Sequence, residues 1–121
     1  MTNAELMETY RSLAEMLQKY DFRARTCISL VRNKNRLKTA IESLEEARIK
    51  ILERFASKNE NGEPVIENDN YVIDDKNALS VELDELFKTE ANVEFEKIPM
   101  CDIEDSVFCG KYADLLAIIV E

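Results

Sequence analysis

Leu30, Leu37, Leu44 and Ile51 stand seven residues apart, and Cys27, Lys34, Ile41, Arg48 and Phe55 interleave with them as the second row of a heptad seam. An α-helix returns to the same face every seven residues, so the pattern predicts one amphipathic helix of about 35 residues that ends near Ser57. Lys34 and Arg48 on the seam oppose a long symmetric coiled coil, because their heads must reach water while only their stems follow the apolar stripe. The favoured arrangement is an antiparallel hairpin with a first helix packed on part of the long one. An open coiled-coil dimer is the alternative.

That first helix is legible in Leu6, Tyr10, Leu13, Leu17 and Tyr20, with Met16 beside them. Thr2-Asn3-Ala4-Glu5 reads as a capping box at its start, and Asp21 as the cap of the long helix after a break near Lys19 to Asp21. Helical periodicity stops between Ser57 and Pro64, where Asn61-Gly62 predicts a tight turn. Val65-Ile66-Glu67 and Tyr71-Val72-Ile73 flank Asn68-Asp69-Asn70 as a short β-hairpin would. Asp74-Asp75 can cap a third helix with Leu79, Leu83, Leu86 and Phe87 on its apolar face. Val93-Glu94-Phe95-Glu96 alternates as a strand with Val93 and Phe95 inward, closed by Ile98-Pro99. Residues 111–121 fit a helix through Tyr112, Leu115, Leu116 and Ile119, or a strand through Ile118-Ile119-Val120. The expected fold is α+β, mainly helical, in a single domain over residues 1–121. A helical hairpin occupies 1–57, and a smaller acidic α+β part, 58–121, packs on it.

Composition narrows the chemistry. The 121 residues include no histidine, which removes Ser-His and Cys-His nucleophiles, His-metal sites and the imidazole general base. Gly62 and Gly110, the two glycines, cannot build a phosphate-cradling loop. Cys27, Cys101 and Cys109 have unrelated spacings and are expected as small buried thiols in a reducing compartment. Ser57-x-Asn59-x-Asn61-Gly62 imitates the start of a calcium loop but lacks its acidic first ligand and has Asn68 where the bidentate glutamate belongs. The carboxylates of residues 102–105 are a weak suggestion of a hard-metal site. No catalytic, cofactor or metal residue is assigned, and the expectation is a protein that is not an enzyme. With no membrane-length apolar run and no basic-then-apolar N-terminal region, a cytoplasmic location is expected.

The formal net charge of −9 is unevenly distributed. Residues 1–21 carry −2, residues 22–58 carry +6, and residues 59–121 carry −13. Arg23, Arg25, Arg32, Lys34, Arg36 and Lys38 form a run without a carboxylate. Either this run tracks phosphates or the acidic half folds back and neutralises it, and the second is favoured because the whole molecule repels a polyanion. The acidic half can likewise imitate a nucleic-acid backbone and occupy a basic groove on another protein. Candidates for such a face are Asp74, Asp75, Glu82, Glu85, Glu94, Glu96, Asp102, Glu104 and Asp105. Ordinary solubility and helix capping are the plainer explanation of the same residues.

Leu30-Val31-Arg32-Asn33-Lys34-Asn35, Ile51-Leu52-Glu53-Arg54-Phe55, Asn61-Gly62 with Ile66-Glu67-Asn68-x-Asn70-Tyr71, Glu82-Leu83-x-Glu85-Leu86 and Val93-Glu94-Phe95 occur in that order. Over residues 10–121 the chain thereby resembles a family of small proteins encoded by tailed phages and prophages of Gram-positive bacteria. The resemblance implies an accessory protein acting in the host cytoplasm, without a catalytic motif. Two roles follow as expectations. One is an inhibitor, similar in kind to anti-CRISPR proteins, that docks its acidic half on a host nucleic-acid-dependent defence complex. The other is a virion-assembly chaperone or scaffold that docks a partner helix on the seam, as a monomer or homodimer. Direct nucleic-acid binding through residues 22–38 is a further alternative.

Overall fold

No glycine or proline precedes Gly62, so nothing in the first 61 residues forces a helix to break, and two helices take almost all of them. The computed structural model describes residues 1–103, 107 and 110–121. Helix α1 (Leu6–Lys19) is entered through a 3-10 turn at Asn3–Glu5, and α2 (Ala24–Phe55) follows after a short link. The 32 residues of α2 make a rod about 48 Å long. The 14 residues of α1 span less than half of it, about 21 Å. This mismatch divides the seam. Leu30 and Leu37 are fully buried, whereas Leu44 and Ile51 are half-buried.

The principal core lies where α1 covers α2. Leu6, Leu13 and Met16 of α1 meet Leu30 and Leu37, and the opposite side is closed by Ile98, Ile103, Val107 and the short helix α4 (Ala113–Ile119). Tyr112, at the entry to α4, is buried with its ring edge-on to Tyr20 at 6.1 Å. Ile98 pairs with Val120 in a parallel bridge, which ties the segment before α4 to the one after it.

Beyond Phe55 the chain turns back. Gly62 adopts φ +77°, a left-handed conformation that strains other residues, while the Asn59 carboxamide oxygen accepts from the Asn61 and Glu63 amides at 2.9 and 3.0 Å. Strands β1 (Ile66–Glu67) and β2 (Asn70–Tyr71) pair antiparallel, Ile66 opposite Tyr71. Asn68 and Asp69 between them have φ of 51° and 64°, the two left-handed positions of a type I′ turn. Helix α3 (Lys76–Lys88) starts where the Asp75 carboxylate accepts from the Ala78 amide at 3.0 Å, and it runs back along α2 to the Asn3–Glu5 turn. There Asn3 Nδ2 donates to the Leu86 carbonyl at 2.9 Å. Among the described residues no helix is long and apolar enough to cross a membrane.

The mainly helical α+β class, the helical hairpin and the small two-stranded sheet agree with the reading of the sequence. Several local expectations differ. Val93–Glu96 is extended, with Val93 and Phe95 turned to the core, yet it joins no sheet, because its neighbour is a helix that offers side chains instead of a backbone ladder. Asp21 does not cap α2. The backbone is extended at Tyr20 and again at Arg23, the residue before the helix, which holds Asp21 away from the first-turn amides. The Thr2 hydroxyl donates to the Glu5 carboxylate at 3.1 Å and caps no amide, since Glu5 N already donates to the Thr2 carbonyl in the 3-10 turn. Of the two alternatives for residues 111–121, the helix forms over Ala113–Ile119. Cys101 is exposed on the 3-10 turn Met100–Asp102 and Cys27 is half-buried, so neither is the buried thiol expected; Cys109 lies outside the described residues.

Candidate protein-binding surface

The basic run and the acidic half meet along the first part of α2. Arg25 Nη2 lies 3.3 Å from the Asp102 carboxylate, Arg32 Nη1 lies 3.2 Å from that of Glu96, and Arg36 Nη1 donates to the Glu94 carbonyl at 2.8 Å. Between these arginines Asn33 is fully buried. Its Nδ2 donates to the Glu96 carbonyl at 3.0 Å and its Oδ1 accepts from the Glu96 amide at 2.8 Å. One side chain thus satisfies both backbone groups of a residue 63 positions away. Three of the six basic residues of the run are therefore engaged within the molecule. Arg23 and Lys38 are exposed and form no ion pair among the described residues.

The carboxylate candidates separate by the same geometry. Glu96 and Asp102 face α2, and the Asp102 side chain is 7% exposed. Asp75 is occupied as the cap of α3, and Glu82 pairs with Arg54 at 3.3 Å across α2 and α3. Asp74, Glu85 and Glu94 keep exposed side chains, and Glu104 and Asp105 lie outside the described residues. They do not form one continuous face. The exposed ones cluster toward α3 and the segment that follows it.

Residues 59–90, which contain the hairpin and α3, carry ten carboxylates against Lys76 and Lys88. Yet no residue of α3 is buried. Leu79, Leu83, Leu86 and Phe87 of α3, and Ile51 and Phe55 of α2, are all half-buried, while Val81 and Ile66 are 67% and 59% exposed. Where this distal lobe joins the principal core, a cleft of about 830 Å³ opens between the middle of α2 and residues 90–94. Ala40, Leu44, Ala47, Leu86 and Val93 give it apolar walls, and Glu90 and Glu94 stand among its polar lining.

Three titratable groups depart from their ordinary values at contacts between segments. A hydrogen bond and the charge of Lys111 hold the Glu15 carboxyl below the usual carboxylate range, with Tyr112 and Lys19 adding to the effect against the opposing influence of burial. Burial raises the Tyr112 phenol, and the charge of Glu15 raises it further. Burial likewise raises the Tyr71 phenol, which donates to Glu53 at 3.2 Å. These contacts fasten elements together and do not converge on a cleft. Among the described residues no three Cys, Asp or Glu side chains are grouped as metal ligands.

Asn33 was not among the functional candidates, although a signal for it exists. It follows Leu30 by three residues and precedes Leu37 by four, which sets an amide on the buried face of a helix. Comparison with known proteins finds no matching family model, no similar curated protein and no similar solved structure.

Proposed function

We propose that this chain acts by binding another protein through its distal lobe, where half-exposed apolar side chains of α2 and α3 lie among carboxylates. The observation that carries the reading is that the 13 residues of α3 fold onto α2 without one of them becoming buried. Apolar area left in water forgoes roughly 25 cal/mol per Å², and contiguous surfaces of this kind mark interaction sites. The surrounding carboxylates select a partner of positive potential and speed the encounter with it.

A basic nucleic-acid groove has the matching sign. Occupied by a lobe of this charge it would no longer admit its polyanion, and the function is then inhibition of a nucleic-acid-dependent complex. The resemblance to phage and prophage proteins supports an accessory role of this kind, carried out without catalysis in the host cytoplasm. Engagement of Arg25, Arg32 and Arg36 within the molecule favours it over direct nucleic-acid binding through the basic run. The half-buried Leu44 and Ile51 support a second reading, an assembly chaperone or scaffold that docks a partner helix along the seam.

Affinity capture from a bacterial lysate, using wild type and the charge-reversed variant Asp74→Lys/Glu85→Lys/Glu94→Lys, separates the two. The inhibitor reading expects capture of a nucleic-acid-binding protein, its release by added DNA and its loss in the variant. Capture that survives charge reversal but is lost in Leu44→Asp/Ile51→Asp supports the scaffold. Capture that survives both overturns the assignment of the surface.

A further inference from the structure

The extended segment from Val93 to Ile98 is hydrogen-bonded along one edge. The Glu94 carbonyl accepts from Arg36, both backbone groups of Glu96 pair with Asn33, and both of Ile98 pair with Ile119 and Glu121, all at 2.8 to 3.0 Å. Successive residues of extended backbone turn their N–H and C=O to opposite edges, so Phe95 and Lys97 present theirs on the other side. Neither backbone group of these two residues, nor the Val93 carbonyl, has a hydrogen-bond partner among the described residues. Buried backbone groups are almost always paired, so an unpaired row belongs to an edge that water reaches.

We infer that residues 93–97 are a receptor edge for an added β-strand, supplied by a partner segment in which basic and apolar residues alternate. The two faces of the segment dictate that alternation. Val93 and Phe95 pack against the core on one face and leave an apolar margin for a neighbouring side chain. On the other face the Glu94 side chain is exposed, and Glu96 has one carboxylate oxygen buried without a partner beyond its contact to Arg32 through the other. A cation on an added strand meets the exposed Glu94 carboxylate, while Glu96 stays turned to Arg32 of α2. A second copy of this chain is a poor occupant, because each carries −9 and self-pairing sets glutamates beside glutamates.

The edge is already ordered by the buried Asn33 and by the Ile98 pairings, so little binding energy goes into arranging it. Lysine on an edge commonly guards against strand addition. Here the Lys97 amine is folded onto the Ile118 carbonyl instead of lying across the edge. Glu94 belongs to this edge and to the carboxylate surface beside α3, so the Phe95 and Lys97 amides, which lie outside that surface, are the readout that separates the two.

The probe is a blocked octapeptide of alternating lysine and valine, compared with the same residues arranged in two blocks and with alternating glutamate and valine. Amide hydrogen exchange, read by NMR, is expected to be fast at Phe95 and Lys97 in the protein alone and at least about tenfold slower with the alternating lysine peptide. Lys97→Pro, which deletes one edge donor, is expected to weaken that peptide about tenfold relative to Lys97→Ala, which keeps the amide. Glu94→Lys should weaken the lysine peptide and strengthen the glutamate one. Slow exchange of both amides without peptide, equal protection by the block peptide, equal affinity of the two Lys97 variants, or dimerisation through the edge overturns the inference. The exchange measurement on wild type decides the matter even where Lys97→Pro does not fold.

Discussion

The two ends of α2 are packed by different means. At the α1 end, twelve residues between Leu6 and Ile119 form a core with none more than 5% exposed. At the α3 end Ala56, 6% exposed, is the one buried apolar residue among those described, and the lobe is held by backbone pairing. Ser57 donates to the Val72 carbonyl and accepts from the Val65 amide, both at 2.8 Å, and Asp75 caps α3. Burial excludes water on all sides and resists local opening, whereas hydrogen bonds beside water open cheaply. The α1 end thus resists local opening, and the α3 end is the one where, under the proposed function, a partner would add burial.

The sharpest way to break this comparison is a pair of truncations. Leu37→Ala removes a fully buried side chain and is expected to cost about 2–5 kcal/mol in chemical denaturation. Leu83→Ala removes a half-buried one on α3 and should cost about 1 kcal/mol. Equal losses would show that α3 belongs to the same cooperative core, and the proposed docking surface would lose its basis.

Asn33 tests the seam between basic and acidic segments. Asn33→Ala leaves the amide and carbonyl of Glu96 without partners, and an expected loss of about 2–4 kcal/mol follows from stranding two polar groups. Asn33→Leu should not restore it, because apolar volume replaces neither hydrogen bond. Asn35→Ala, on an exposed position nearby, is expected to stay within about 0.5 kcal/mol of wild type.

The heptad of Leu30, Leu37, Leu44 and Ile51 made α2 legible because helical periodicity is a local property repeated over many turns. Asp75 as a cap and the hairpin itself were legible for a similar reason, since each depends on neighbours a few positions apart, although Asn70, read as part of the turn, opens β2 and leaves Asn68 and Asp69 as the connection. Which half of the seam is covered was not legible. It depends on the length of α1 against that of α2 and on the return of Ile98, Ile103 and α4 to the core, all long-range facts. The opposite charges of residues 22–38 and 59–121 were plain in the sequence, but the pairs Arg25–Asp102 and Arg32–Glu96 join positions 77 and 64 apart. Alternation in Val93–Glu96 correctly set its inward side chains and misled on sheet pairing, because period two reports burial and says nothing about the neighbour's backbone.

Asp75→Ala separates the lobes at lower cost. Loss of the cap is expected to destabilise by about 1 kcal/mol, and the effect should be confined to α3. Amide exchange checks it: protection falls over residues 76–88 while the amides of α1 and of the first half of α2 are unchanged. Spread of the loss into α1 would mean that the lobes open together.

Acid supplies the smallest and most local contrast. Glu15 and Lys111 join α1 to the turn before α4 across 96 positions, whereas Glu45 and Arg48 join two residues of the same helix. Both carboxyls are held below their ordinary value, chiefly by hydrogen bonds from their basic partners. A carboxyl with a depressed folded pKa contributes stability above its unfolded value and loses it as pH falls through the folded one. Both contributions therefore fade below the ordinary carboxylate range, but with different reach. Protonating Glu15 releases a contact between segments of the principal core, while protonating Glu45 affects one turn of a helix that continues on either side. In thermal melts from neutral to acid pH, Glu15→Gln should flatten the acid limb and Glu45→Gln should leave it close to wild type. The reverse order would place the acid-sensitive contact in the distal half of α2, and the division between the two ends would have to be redrawn.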